Sequence, residues 1–247
     1  MISSFPRLLT TIGKLGELIF FPSSCKLCSS LLEFPHENVI CRACWGKIRA
    51  PRQSFCLCCG RFFEGVAEPH FCRSCLQGRP PFSLHRSCGR YKGTLKDIIL
   101  LFKYRHFKLL GKELARFTYE ISNRYKDLWW NVEALIPVPL HRKREKQRGF
   151  NQALIIAKEL AKNMEIPIVE RALVKVRNVP PQTLIKPGDR EKNVSGAFCV
   201  VKKEQVRGKS VLLVDDVYTT GATIRECSRA LREAGVREVR ALSVAQA

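Results

Sequence analysis

Eight cysteines in two matching sets carry the first chemistry legible in the chain. Cys25-x2-Cys28 is followed after twelve residues by Cys41-x2-Cys44, and the pattern returns thirty-one positions later as Cys56-x2-Cys59 and Cys72-x2-Cys75. A CxxC knuckle can turn two thiolates toward one ion, and a second knuckle about 12–20 residues on completes a tetrahedron. The spacing therefore predicts two Zn²⁺ sites, with ligands Cys25, Cys28, Cys41, Cys44 and Cys56, Cys59, Cys72, Cys75. Four thiolates leave no open position for water, so both sites are read as structural. Redox chemistry does not call for four CxxC pairs in register. Each half is too short to hold a core of its own, so the metal would supply most of its folding free energy. Cys58 is read as a bystander, and Cys88, Cys199 and Cys227 as small buried apolar residues. Arg42, Lys47, Arg49, Arg52, Arg61 and Arg73 are read as solvated charge rather than as a nucleic-acid face.

A second constellation is Val211-Leu-Leu-Val-Asp-Asp-Val-Tyr-Thr-Thr-Gly-Ala-Thr223. The run Ser210–Val214 is nearly all apolar, as in a parallel strand buried on both faces, and it would deliver Asp215 and Asp216 at its carboxyl end. A loop of Thr219, Thr220, Gly221, Ala222 and Thr223 then opens a helix. Backbone N–H groups at such a helix start form an anion cradle, Gly221 permits close approach, and the threonine hydroxyls add donors. Two carboxylates beside the cradle suit sugar hydroxyls or a Mg²⁺ ion. The pattern describes a phosphorylated ribose across a strand end; neither GxxxxGK[ST] nor GxGxxG is present.

The elements that must hold these residues follow from apolar periodicity. Leu95, Ile98, Ile99 and Phe102 mark a helix that Thr94 could cap, and Leu110, Leu114, Phe117 and Ile121 mark a second. A strand is expected over 132–138, and a helix from about Asn151 with Ala153, Ile156, Ala157 and Leu160 inward. Further strands are expected over 169–176, 196–201 and 236–244, and a helix over 221–234. The alternation implies an α/β fold with a central parallel sheet, in which ligands bind at the carboxyl ends of strands. Gln77-Gly-Arg-Pro-Pro81 reads as a linker or sharp turn before this domain.

The chain of 247 residues is 45% hydrophobic and carries a formal charge of +21, so it can bury a core and favours a polyanionic partner. No apolar stretch is long enough to span a bilayer. Leu8, Ile12, Leu15 and Ile19 suggest a short amphipathic helix within 1–24 rather than a secretory signal. A cytoplasmic location is expected, with peripheral placement at the inner face of the membrane as the alternative. Residues 1–78 hold nine basic and five acidic side chains. Two zinc-thiolate sites contribute a charge of about −4, which leaves that module near neutral. The charge then resides on 79–247, with 34 basic and 17 acidic residues.

Residues 211–223 resemble the PRPP-binding motif of type I phosphoribosyltransferases at all thirteen positions. With Tyr91-Lys-Gly, Phe102-Lys-Tyr104, Pro137-Val-Pro139, Arg148-Gly-Phe-Asn-Gln152, Pro181-Gln182, Arg190, Asn193, Gly196-Ala-Phe198 and the cysteine knuckles, the chain resembles the ComF family over nearly its whole length. The resemblance implies a type I phosphoribosyltransferase fold (79–247) behind a double zinc ribbon (25–78). It implies that Asp215 and Asp216 hold the ribose hydroxyls of PRPP, and that Thr219, Thr220, Gly221, Ala222 and Thr223 hold its 5-phosphate. Residues 137–152 would form the pyrophosphate loop, with His141, Arg142, Lys143, Arg144, Lys146 and Arg148 available to the Mg²⁺-bound pyrophosphate. Residues 177–193 would be a closing loop offering Arg177, Gln182 and Arg190. A base-recognition hood would come from near 80–130. The implied role is in DNA uptake during natural transformation, handling single-stranded DNA on the cytoplasmic side beside proteins of the competence machinery. The alternative is a Mg²⁺-dependent phosphoribosyltransferase of nucleotide or base salvage.

Overall fold

A computed structural model describes residues 24–32, 39–49, 51, 54–65, 68–105, 107–177 and 195–247. The amphipathic helix expected within 1–24 lies outside them, apart from Ser24. The chain divides into compact units 1–48 and 49–247. The first four-cysteine ribbon, with helix α1 (Arg42–Gly46), belongs to the first unit, and the second ribbon to the second.

The second unit runs α2 (Arg73–Gln77), β1 (Leu84–Ser87), α3 (Gly93–Tyr104), α4 (Leu110–Ser122), α5 (Lys126–Trp129), β2 (Ala134–Pro137), α6 (Arg142–Arg148) and α7 (Gln152–Met164). It continues through β3 (Leu173–Lys175), β4 (Phe198–Val200), α8 (Lys203–Val206), β5 (Ser210–Tyr218), α9 (Ala222–Glu233) and β6 (Glu238–Gln246). The strands β1-β6-β5-β2 form an all-parallel sheet, with Ile136 opposite Leu213 and Leu213 opposite Ala241. Residues 167–169 extend it beside β2: Leu135 N–H donates to Pro167 O (2.9 Å), and Val169 N–H to Leu135 O (2.9 Å). Val211 through Val214 are buried on both faces, as their unbroken apolar run requires.

Chain direction fixes where a ligand can enter. From β2 the chain moves outward through α7 to 167–169, whereas from β5 it moves the opposite way through α9 to β6. Right-handed crossovers in opposite directions put α7 and α9 on opposite faces of the sheet. The carboxyl ends of β2 and β5, which lie side by side, therefore flank an open crevice at a topological switch point.

Two expectations are corrected, and one strand is new. The strands expected over 169–176 and 196–201 are largely not in the parallel sheet; β3 and β4 form a separate antiparallel pair, Val174 opposite Cys199. Strand β1, unforeseen because Leu84-His-Arg-Ser87 has no apolar pattern, is buried at His85, Arg86 and Ser87; both His85 ring nitrogens and the terminal nitrogens of Arg86 find partners, while Arg86 Nε has none among the described residues. Thr94 does not cap α3; the preceding Lys92 does so with extended backbone and no side-chain bond. Just after residues 77–81, Phe82 is buried in the same core as Cys59, Cys75 and Tyr218.

Candidate functional site: two metal centres and a strand-end crevice

Both cysteine sets converge. Within each, the four Sγ atoms lie within 4.8 Å of one another. Cys28 and Cys41 approach to 3.6 Å, Cys25 and Cys44 to 3.9 Å, and Cys59 and Cys72 to 3.7 Å. A tetrahedron of Zn–S bonds of about 2.3 Å has edges of about 3.8 Å, so the donor sets fit zinc in kind and in spacing. Cys41 N–H points at Cys25 Sγ (3.4 Å) and Cys72 N–H at Cys56 Sγ (3.3 Å), bonds that favour the thiolate. Burial pushes the Cys56 thiol up, but the amides of Cys72, Cys59 and Cys58 bring it down to about 7. Cys58 is buried outside the four, as are Cys88 and Cys227; Cys199 is half-buried.

The crevice is built from the ends of β2 and β5. Strand β5 runs four residues beyond the apolar core, with Asp215 opposite Ser243 and Tyr218 opposite Gln246, so both aspartates sit on regular strand backbone. Asp216 N–H donates to Asp215 Oδ1 at 2.8 Å. Burial and the adjacent Asp216 carboxylate push the Asp215 carboxyl up to about 7, against the pull of Lys103. Lys103 Nζ lies 2.8 Å from Asp216 Oδ1, and both side chains are only 14% exposed. The next turn, Thr219–Thr223, leads into α9 through Gly221 at φ +80°, where a Cβ would overlap the Tyr218 hydroxyl. Arg225 closes this turn, its guanidinium donating to Thr220 O at 2.8 Å.

The opposite wall is the segment after β2. The expected loop contains a helix, α6, whose i,i+4 pair Arg144 and Arg148 is half-buried while Arg142 and Lys143 are exposed. Arg148 lies 5.2 Å over the Tyr104 ring and donates to Gln152 Oε1 at 3.1 Å. Gly149 is left-handed at φ 74°, and Phe150 packs on Phe102 with ring centroids 5.3 Å apart. Asn151 caps α7 by accepting from Ala153 N–H (3.0 Å) and donates from Nδ2 to Val138 O (3.0 Å). Residues 102–104 and 148–152 thus interlock beside the aspartates. Burial, then repulsion from Arg148, lowers Arg144; burial, then repulsion from Arg144, lowers Lys175, which also feels Asp215. These crowded cations suit a multiply charged anion. A cleft of about 620 Å³ beside them has walls including Pro139, His141, Arg142, Glu170 and Lys175.

The phosphoribosyl transferase domain family matches residues 150–247, and the double zinc ribbon domain family matches residues 18–76. Competence protein F of Haemophilus influenzae is 32% identical over 232 residues, covering 92% of this chain and 99% of its own. This chain belongs to the ComF family. Competence protein ComFC of Bacillus subtilis is 29% identical, covering 85% of this chain and 89% of its own. The DNA utilization protein YhgH of Salmonella typhimurium is 29% identical, covering 90% and 96%.

In this ComF-family chain, Asp215, Asp216 and Thr219–Thr223 gather at one strand end, and Arg148 packs over Tyr104, the residue after the Lys103 that pairs with Asp216. Arg142, on the wall of the cleft, and Lys143 are exposed, Arg177 is exposed just after β3, and Gln182 and Arg190 lie outside the described residues. Sequence reasoning passed over Lys103 and Lys175 as site residues. Lys103 lies within Phe102-Lys-Tyr104, and its place in that run was the available signal. Lys175 could have been suspected as a lysine within an otherwise apolar strand.

Proposed function

We propose that the β2–β5 crevice binds PRPP together with Mg²⁺, and that the protein uses this domain in handling single-stranded DNA during natural transformation, on the cytoplasmic side. The observation that carries the ligand reading is the pairing of a carboxylate pair with a glycine-opened helix start on one strand end. Asp215 and Asp216 accept hydrogen bonds from the ribose hydroxyls, and the amides and hydroxyls of Thr219–Thr223 donate to the 5-phosphate. Arg144, Arg148 and Lys175 face the pyrophosphate, and bound Mg²⁺ supplies the remaining charge neutralisation. With Asp215 titrating near 7, cation and ribose arrival draws it toward the ionised form. Lys103 holds Asp216 in the absence of ligand and must yield that carboxylate, or share it, when a ribose hydroxyl arrives.

Three features support the DNA reading. The net charge of +21 exceeds what one small anion needs. Tyr104 exposes 58% of its surface beside basic residues, as a base-stacking platform would. The relatives are named for competence and DNA utilization. Calorimetry tests the ligand site: PRPP binding should require Mg²⁺ and vanish in Asp216→Ala, and unchanged affinity in that variant would sink the assignment. Affinity for a single-stranded oligonucleotide should fall steeply between low and moderate salt. Absence of binding at low salt eliminates direct contact. Pyrophosphate release across a panel of bases with PRPP separates a transferase of salvage from a binding module.

A further inference from the structure

The second metal knuckle and the phosphate turn meet through two side chains. Three consecutive carbonyls of the knuckle accept hydrogen bonds from β1. Leu57 O accepts from the Arg86 guanidinium (3.0 Å), Cys58 O from His85 N–H (2.7 Å), and Cys59 O from His85 Nδ1 (2.9 Å). A carbonyl only accepts, so Nδ1 carries the proton and Nε2 accepts from the Ser243 hydroxyl at 3.1 Å. Gly60, the last knuckle residue, fits because a Cβ there would overlap His85 O. The fixed imidazole stacks on the Tyr218 ring, centroids 4.0 Å apart and planes 21° apart. Tyr218 ends β5, and its hydroxyl lies against Gly221, where a side chain would collide.

We propose that the second four-cysteine cluster is part of the support of the phosphate turn, with His85 and Tyr218 as the positioning residues that join them. The proposal rests on the reading that Thr219–Thr223 takes the 5-phosphate. Metal at Cys56, Cys59, Cys72 and Cys75 fixes the knuckle carbonyls, the carbonyls fix His85, and its ring backs Tyr218 and so Gly221. An anion cradle of N–H groups binds well only when its donors are already aligned, so cluster occupancy and phosphate affinity are linked. Linkage is reciprocal: whatever the metal gives to ligand affinity, the ligand gives to metal retention.

The test follows zinc release to a chromogenic chelator from chains carrying Cys25→Ser and Cys44→Ser, in which only the second cluster can hold metal. Saturating PRPP with Mg²⁺ should slow release about tenfold or more. Without ligand, Tyr218→Leu should speed release by a similar factor, while Tyr218→Phe, which keeps the ring stack, releases at the parental rate. Should Tyr218→Leu fail to fold, the PRPP arm on the unaltered turn decides. Equal release rates with and without bound PRPP, or across the Tyr218 series, overturn the coupling. Calorimetry on the parent reports PRPP binding separately. No binding there refutes the reading of the turn, and the ligand-free Tyr218 series still decides whether cluster and turn are joined.

Discussion

The two ribbons repeat one backbone plan in different surroundings. Cys25 N–H donates to Ser30 O at 2.8 Å, and Cys56 N–H to Arg61 O at 2.8 Å. Ser29 N–H donates to Cys25 O and Gly60 N–H to Cys56 O, both at 2.9 Å. Lys26 N–H reaches Val39 O (3.0 Å), as Leu57 N–H reaches His70 O (3.1 Å). The fifth residue is left-handed in both, φ 61° at Ser29 and φ 65° at Gly60. What differs is how each is embedded. Cys28 is exposed, and hydrogen bonds from Ser30 lower its thiol to about 6. Its counterpart Cys59 is buried in the core that holds Phe82 and Tyr218, and burial pushes its thiol up. Metal geometry dictates the knuckle, and packing dictates the residues around it.

The comparison breaks most directly at the ligands. Cys59→Ser should lower the stability of the 49–247 unit by about 4 kcal/mol or more, because structural zinc contributes folding free energy and this knuckle carries part of the core. For a unit of this size that corresponds to a fall of about 8–16 °C in Tm. Cys28→Ser should leave the 49–247 transition where it is and weaken 1–48 alone. Differential scanning calorimetry resolves the two, and equal effects of both substitutions on the larger transition would remove the distinction drawn here.

Exchanging the fifth knuckle residue is the next largest effect. Gly60→Ser gives the second ribbon the residue that the first one carries, yet its Cβ would overlap the His85 carbonyl oxygen. A cost of about 2–3 kcal/mol is expected in denaturant unfolding, from displacement of β1 plus left-handed strain. A neutral result would mean that β1 and the knuckle move apart at little cost.

The crevice adds a pH effect that 1–48 should lack. The Asp215 carboxyl is raised from its ordinary value to about 7, so the folded unit holds a proton that the unfolded chain has lost. Stability from this group is greatest below about pH 4, falls as pH rises toward 7, and is level above it. Zinc-thiolate sites weaken toward acid in the opposite sense. The clean measure is therefore the difference between Asp215→Asn and the parent. The advantage of the variant should grow between pH 4 and 7, and a flat difference would mean that the carboxyl is ionised throughout.

How much of this was readable in sequence depends on whether a contact is local. The metal ligands could be read because each knuckle is a short repeat whose spacing alone states the geometry. Asp215, Asp216 and the threonine turn could be read because strand, loop and helix are contiguous. Lys103 pairs with Asp216 across more than a hundred residues, and no spacing rule reports such a pair. Strand β1 was hidden for the same reason. His85 and Arg86 look like surface residues until Leu57, Cys58, Cys59 and Ser243 hydrogen-bond to them from elsewhere in the chain. The antiparallel β3–β4 pair was mistaken for part of the parallel sheet because a short apolar run carries no information about its partner.

The smallest effect tests the comparison from the other side. Ser29 holds a left-handed backbone at φ 61° with its side chain exposed, so Ser29→Gly removes the strain a Cβ carries there. Glycine also loosens the unfolded chain, at a cost of about 0.4–1 kcal/mol. The two terms oppose each other, and the net change in the 1–48 transition should lie within about 0.5 kcal/mol of zero. Glycine is thus optional in the first knuckle, while the contact with His85 makes it obligatory in the second. A loss above about 1 kcal/mol in Ser29→Gly would show that Ser29 makes an interaction of its own, and the two knuckles would then differ in chemistry as well as in packing.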